Sequence, residues 1–142
     1  MSVLVQIADA VAASINSGTY SESVIAQRSY RPSFDLEQLA ETRVTVVPRS
    51  EIIETMSRLH SRVDCKVDVG IQQRVPAGDE PRIDALLDLA EEIGDQLRHK
   101  GLEDFPEAVW ISIEHDPVAA SEHLDELSTL TTVLSVTYRV RR

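Results

Sequence analysis

Apolar residues recur along this chain with two periods, and the switches between them mark its elements. Leu4, Ile7, Val11 and Ile15, with Ala8 and Ala12 between them, fall at helical spacing, and Gly18 follows as the expected stop. Over residues 24–30 the pattern shortens to alternation among strand-favouring types, ended by Pro32. A short loop or helical turn through residues 35–41 leads to a β-branched run at 43–47, closed by Pro48. Residues 49–62 fit two patterns. Ile52, Met56 and Leu59 are spaced for a helix, whereas Ile53, Thr55 and Ser57 alternate, and the expectation here is an extended or partly mobile excursion.

The second half of the chain is clearer. Cys65, Val67, Val69, Ile71, Gln73 and Val75 point one way, with Lys66, Asp68, Gly70, Gln72 and Arg74 the other, which predicts a strand over 64–75. The breaker-rich loop Pro76-Ala77-Gly78-Asp79-Glu80-Pro81 precedes a helix over 83–97, whose apolar stripe is Ile83, Leu86, Leu87, Ala90, Ile93 and Leu97. Asp79 or Glu80 stands at its N-terminal end, where negative charge suits the macrodipole, and His99, Lys100 and Gly101 close it. Val109, Ile111, Ile113 and His115 alternate with Trp110, Ser112 and Glu114 in another strand. A polar connection covers 116–128, with room for one helical turn. The last strand, 130–141, places Thr132, Leu134, Val136, Tyr138 and Val140 on one face.

The resulting order, α-β-β-β-α-β-β, predicts an α+β fold. Adjacent strands without crossover helices call for a mainly antiparallel sheet with long strands, covered by two helices, in one domain spanning 1–142. A domain of this length has a diameter of roughly 35–40 Å. A strand of about 12 residues at ~3.3 Å each spans about 40 Å. The strands at 64–75 and 130–141 are therefore expected to reach the edge of the core or project past it, and open strand edges recruit other chains.

Composition narrows the function classes. A net charge of −10 argues against a phosphate-gripping nucleic-acid binder. Single Cys65 fits a reducing compartment, and neither a signal-peptide pattern nor a membrane-length apolar run is visible. Charge is uneven. Residues 28–74 carry eight basic and seven acidic side chains, 101–138 carry eight acids and no Lys or Arg, and Arg139, Arg141 and Arg142 swing back to basic. Such asymmetry suits either solvated faces or head-to-tail contact between copies.

No phosphate loop, dinucleotide fingerprint, nucleophile elbow or Cys-x-x-Cys pair is present, so no catalytic residue, cofactor site or metal site is expected. The one enzyme-like cluster is Glu114-His115-Asp116 with Glu122, His123 and Glu126, which could hold a divalent metal or share a proton, but reads as turn and loop residues. Cys65, on an apolar strand face, reads as core. The helix 83–97 carries an acidic stripe of Asp84, Asp88, Glu91, Glu92 and Asp95, with like charges at i,i+4. Asp84, Asp88 and Glu92, with Arg139 and Arg141 as basic counterparts, are the candidate subunit-interface residues. Arg28, Tyr30, Arg31, Arg43 and Arg49 are a weaker candidate for a basic rim.

Taken in order, several segments resemble the tail-terminator and head-to-tail joining proteins of long-tailed bacteriophages and prophages. They are the first helix, Ser29-Tyr30-Arg31-Pro32 with Asp35-Leu36, Val46-Val47-Pro48-Arg49, Ser61-Arg62, Asp68-Val69-Gly70-Ile71-Gln72-Gln73-Arg74, the helix around Leu86, and Thr132-Val133-Leu134-Ser135-Val136-Thr137-Tyr138. The likeness spans nearly the full length and rests on pattern and order. It implies a non-enzymatic virion protein, assembled in the host bacterial cytoplasm as a hexameric ring. Such a ring caps the tail tube, contacts tail-tube and neck or connector proteins, and lets DNA pass without binding it specifically. It also implies no membrane association and no cofactor. Two other functions fit the residues: a small cytosolic binding or adaptor domain working through the acidic stripe, and a metal-assisted enzyme using His115, Glu122 and His123.

Overall fold

The computed structural model describes residues 2–31, 38–76 and 78–142. Its elements are α1 (Val3–Asn16), β1 (Ala26–Arg28), a 3₁₀ turn (Gln38–Ala40), β2 (Arg43–Thr55), β3 (Ser61–Arg74), α2 (Glu80–Leu97), β4 (Val109–His115), α3 (Ser121–Leu127) and β5 (Thr129–Arg141). The strands form one sheet in the order β1-β2-β3-β5-β4. The expected α+β class and mainly antiparallel sheet hold, with one exception. Short β1 pairs parallel to β2. Part of the turn expected at 35–41, with Pro32, Asp35 and Leu36, lies outside the described residues.

Strand alternation places the core. Val63, Cys65, Val67, Val69 and Ile71 of β3 share a face with Leu130, Leu134, Val136, Tyr138 and Val140 of β5, and all ten are buried. Two helices cover this face. α1 lies against β1, β2 and β3, and α2 against β5 and α1. Most of the apolar stripes read from the sequence are buried: Ile7, Ala8, Val11, Ala12 and Ile15 on α1, and Leu86, Ala90, Ile93 and Leu97 on α2. Leu4, Ile83 and Leu87 are only half-buried, and Leu89, which the stripe left out, is fully buried. Burying a leucine-sized side chain of this kind contributes about 1.5–3 kcal/mol.

The helix ends have local causes. Ser2 Oγ accepts from Val5 N–H at the start of α1, and Asp79 accepts from Arg82 N–H at the start of α2. α1 stops at Ser17, one residue before the expected Gly18. Gly18 is needed for space, since a Cβ there would stand 2.5 Å from the Tyr20 hydroxyl, which donates to Ile15 C=O at 2.6 Å. After α2 the left-handed turn is made by His99 (φ 59°), not by Gly101, and its ring packs on Trp110 at 4.6 Å. The connection at 116–128 holds more than the single turn expected. It contains α3, and His123 on that helix bonds Thr131 at 2.6 Å on the sheet face opposite α1 and α2.

Two strand boundaries also differ from expectation. Pro48 does not close β2, which continues to Thr55. β1 flanks β2 only as far as Val46, so the missing N–H of Pro48 falls at an open edge, and a bulge between Pro48 and Ser50 absorbs the irregularity. In β4 a second bulge, between Trp110 and Ser112, breaks the alternation. Trp110 and Ile113 pack against the core, while Val109 and Ile111 face outwards.

Candidate interaction surface

Beyond Pro48 the β2–β3 ladder becomes an arm. β2 and β3 run antiparallel from Ser50–Lys66 to Thr55–Ser61, and the turn is closed by Met56 and Ser57 N–H groups donating to His60 C=O at 3.0 and 3.1 Å. Every residue from Arg49 to His60 is exposed. Four of them are large and apolar: Ile52 (60% exposed), Ile53 (65%), Met56 (48%) and Leu59 (86%). Exposed large apolar side chains gathered on one arm are the kind of feature that marks an interaction site. The ambiguous 49–62 segment is therefore extended. A signal was already in the sequence, because adjacent Ile52 and Ile53 place an apolar side chain on each strand face.

Ionic contacts stiffen the base of the arm. Arg62 pairs with Glu54 across the two strands, and Arg139 donates to both carboxylate oxygens of Asp64 at 2.8 and 3.1 Å. The Arg139 guanidinium holds the Asp64 carboxyl below the usual carboxylate range. Further along, Asp68 accepts from Ser135 Oγ at 2.6 Å and from Arg49 at 3.4 Å. This charged ladder lies on the sheet face away from α1 and α2.

A second polar network, absent from the sequence reading, ties the other end of the sheet. Arg82 donates to both oxygens of Glu22 at 2.9 and 3.0 Å, to Gln73 Oε1 at 2.6 Å and to Thr42 Oγ1 at 2.9 Å. The Arg82 hydrogen bonds, opposed in part by burial, lower the Glu22 pKa. Its members come from four separate segments, so no sequence spacing announced it.

The five expected interface residues do not come together. Asp84 and Asp88 are exposed on the outer side of α2. Glu92 turns to the loop after α1, accepting from Ser21 N–H at 3.0 Å and Ser21 Oγ at 2.7 Å, and has a structural role. Arg139 is held by Asp64, and Arg141 is exposed at the sheet end, level with Arg62. The acidic residues therefore lie on the helical layer and Arg139 on the opposite sheet face. Copies stacked head to tail could bring them together, but within one copy they stay apart. The proposed basic rim is also dispersed: Arg28 pairs with Asp9, Arg43 donates to Gln38 C=O, and Arg49 turns to Asp68.

Strand alternation separates the enzyme-like cluster. His115 bonds Thr132 Oγ1 at 2.5 Å on the core face, while Glu114 and the His123–Thr131 pair belong to the other face. Among the described residues no group of three His, Cys, Asp or Glu side chains could hold a metal ion. The side chain of Glu126 lies outside the described set. His60 is exposed at the arm's tip. Cys65 is buried, and burial, aided by Glu51 and Asp64, pushes its thiol up to about 11, well away from a thiolate nucleophile at neutral pH. No helix among the described residues is long and apolar enough to cross a membrane.

No protein-family model matches the chain, and no curated protein matches it.

Proposed function

We propose that this chain is a structural virion-assembly subunit, a tail-terminator or head-to-tail joining protein that forms a ring on a phage-type tail tube and links it to the neck. Its partners in this reading are further copies of itself, the tail-tube protein and neck proteins, with DNA only passing through. The sequence resemblance points to the family. The observation that carries the assembly role is the β2–β3 arm, which exposes Ile52, Ile53, Met56 and Leu59 beyond the helix-covered core. A monomer gains nothing from such an arm, whereas an assembling subunit buries it against its neighbours. Light scattering after size exclusion, with negative-stain imaging of the protein added to tail tubes, tests the role. Rings or capped tube ends are expected. A strictly monomeric protein that leaves tubes bare overturns it.

A binding or adaptor domain is the second reading, favoured by Asp84, Asp88 and Glu91, which are exposed and form no ion pair among the described residues. Reversing Asp84 and Asp88 to Lys then abolishes capture of a basic partner. Glu92 is left intact because it caps the Ser21 loop.

A further inference from the structure

We propose that α3 and its lead-in, residues 116–127, form a proton-operated clasp. Neutral His123 holds the segment on the sheet, and protonation of His123 releases it. The inference concerns the single chain and stands apart from the assembly reading.

The segment is fastened to the start of β5 by its backbone and from both sheet faces. Asp116 N–H donates to Val133 C=O at 3.1 Å, Val133 N–H to Pro117 C=O at 3.0 Å, and Ala120 N–H to Thr131 C=O at 3.0 Å. Two histidines then grip adjacent threonines. His115 meets Thr132 on the helix-covered face, and His123 meets Thr131 on the other.

Counting protons gives the two histidines opposite roles. The Thr131 hydroxyl accepts from Gln72 Nε2–H at 3.2 Å. Its own proton has one acceptor among the described residues, His123 Nδ1 at 2.6 Å. His123 therefore keeps its proton on Nε2 and bonds through the Nδ1 lone pair. Thr132 has Pro117 C=O at 3.5 Å to receive its proton, so its oxygen accepts from His115 Nε2–H. An imidazolium is a donor at both nitrogens. Protonation thus leaves the His115 bond in place and sets N–H against O–H at His123. Imidazole changes charge between about pH 5 and 8, above the range in which carboxylates titrate.

Little else holds α3. Its seven residues fall short of the roughly 12 that an isolated helix needs. Ala120 supplies no side-chain cap, and Ser128 ends the helix in the left-handed region at φ 47°, unfavourable for a residue with a Cβ. Leu124 packs only partly against the core, and Leu127 is exposed. Beneath the clasp the buried Gln72 Oε1 has no hydrogen-bond partner, so opening brings it to water and offsets part of the loss. Arg43 of β2 and Arg74 of β3 lie on the sheet face below, and β5 adds only uncharged Thr129 and Thr131. The two arginines oppose a cation trapped under α3. Glu114 and Asp116 on the β4 side, with Glu122 and Asp125 on α3 itself, are exposed and favour one released to solvent.

Hydrogen exchange of the full chain, read by mass spectrometry and corrected for the intrinsic effect of pH, tests the clasp. From about pH 7.5 to about pH 5, amides 120–125 should exchange about three- to tenfold faster, the usual worth of one hydrogen bond, while α2 keeps its protection. His123→Asn, which keeps an acceptor and cannot titrate, should abolish the acceleration, and His115→Gln should leave it. Long-range 15N NMR of the wild-type chain at neutral pH should find the His123 proton on Nε2. An unchanged wild-type rate overturns the clasp, as does acceleration that persists in His123→Asn or vanishes in His115→Gln. A proton on His123 Nδ1 at neutral pH overturns it as well. Where circular dichroism shows a variant unfolded, the wild-type exchange and the nitrogen spectrum decide.

Discussion

Val63 and Ile53 face each other across one rung of the β2–β3 ladder, yet the first is 2% exposed and the second 65%. Their chemistry is nearly the same, so the difference comes from their surroundings. Val63 has Val140 of β5 on its other flank, whereas Ile53 has no described strand beyond it. Residues deeper in β3, such as Val67 and Val69, gain helices above them as well as strands on both sides. Burial in a sheet thus depends on how many flanks and faces are covered, and an apolar strand residue lacking that cover stays exposed.

The sharpest way to break this contrast is to remove equal amounts of apolar side chain from the two regions. Leu89→Ala, under α2, should cost about 2–5 kcal/mol, read as a lowered urea midpoint. Arg82→Ala comes next. It leaves Glu22, Thr42 and Gln73 without their common donor, and about 1–2 kcal/mol should be lost by the same measurement.

The charged ends of the sheet should show a further effect through pH. Arg82 lowers the folded-state pKa of Glu22, as Arg139 does that of Asp64. Stabilisation from both is complete above the unfolded carboxylate range of about 4 and is lost as pH falls below it. Urea midpoints at pH 7, 4 and 3 should fall in that order, and less steeply in Arg82→Ala and Arg139→Ala. At alkaline pH the sign reverses. Cys65, raised from 9.0 to about 11, keeps its proton in the folded chain after the unfolded chain has lost it, so stability declines between those values. Cys65→Ala should flatten that decline. The smallest effect belongs to the arm. Ile53→Ser and Leu59→Ser should each shift monomer stability by no more than about 0.5 kcal/mol, while both weaken self-association in light scattering. A large loss of monomer stability from either would mean that the arm is part of the core.

Particular residues show how far the sequence was legible. The run from Cys65 to Val75 and the stripe from Leu86 to Leu97 announced a strand and a helix, because period and burial coincide where an element has one wet side and one dry side. Pro48 misled, since a proline ends a strand only when its missing N–H is needed, and here it faces an edge. Ile111 misled because the bulge beside it reverses which alternate residues point inwards. Glu92 read as part of an acidic interface, and only the chain's return through Ser21 made it a loop anchor. Glu114 and His115 read as one cluster, although neighbours on a strand point to opposite faces.

By itself, the sequence determined the class of the fold, the apolar faces of both covering helices, and the facing of the two central strands, since all of these follow from local periodicity. Only the tertiary structure decided which strands lie side by side, and with that which edges stay open. Strand order is a matter of long-range pairing that no local pattern encodes. In this protein it leaves Ile52, Ile53 and Leu59 on an uncovered arm and Val63 in the core.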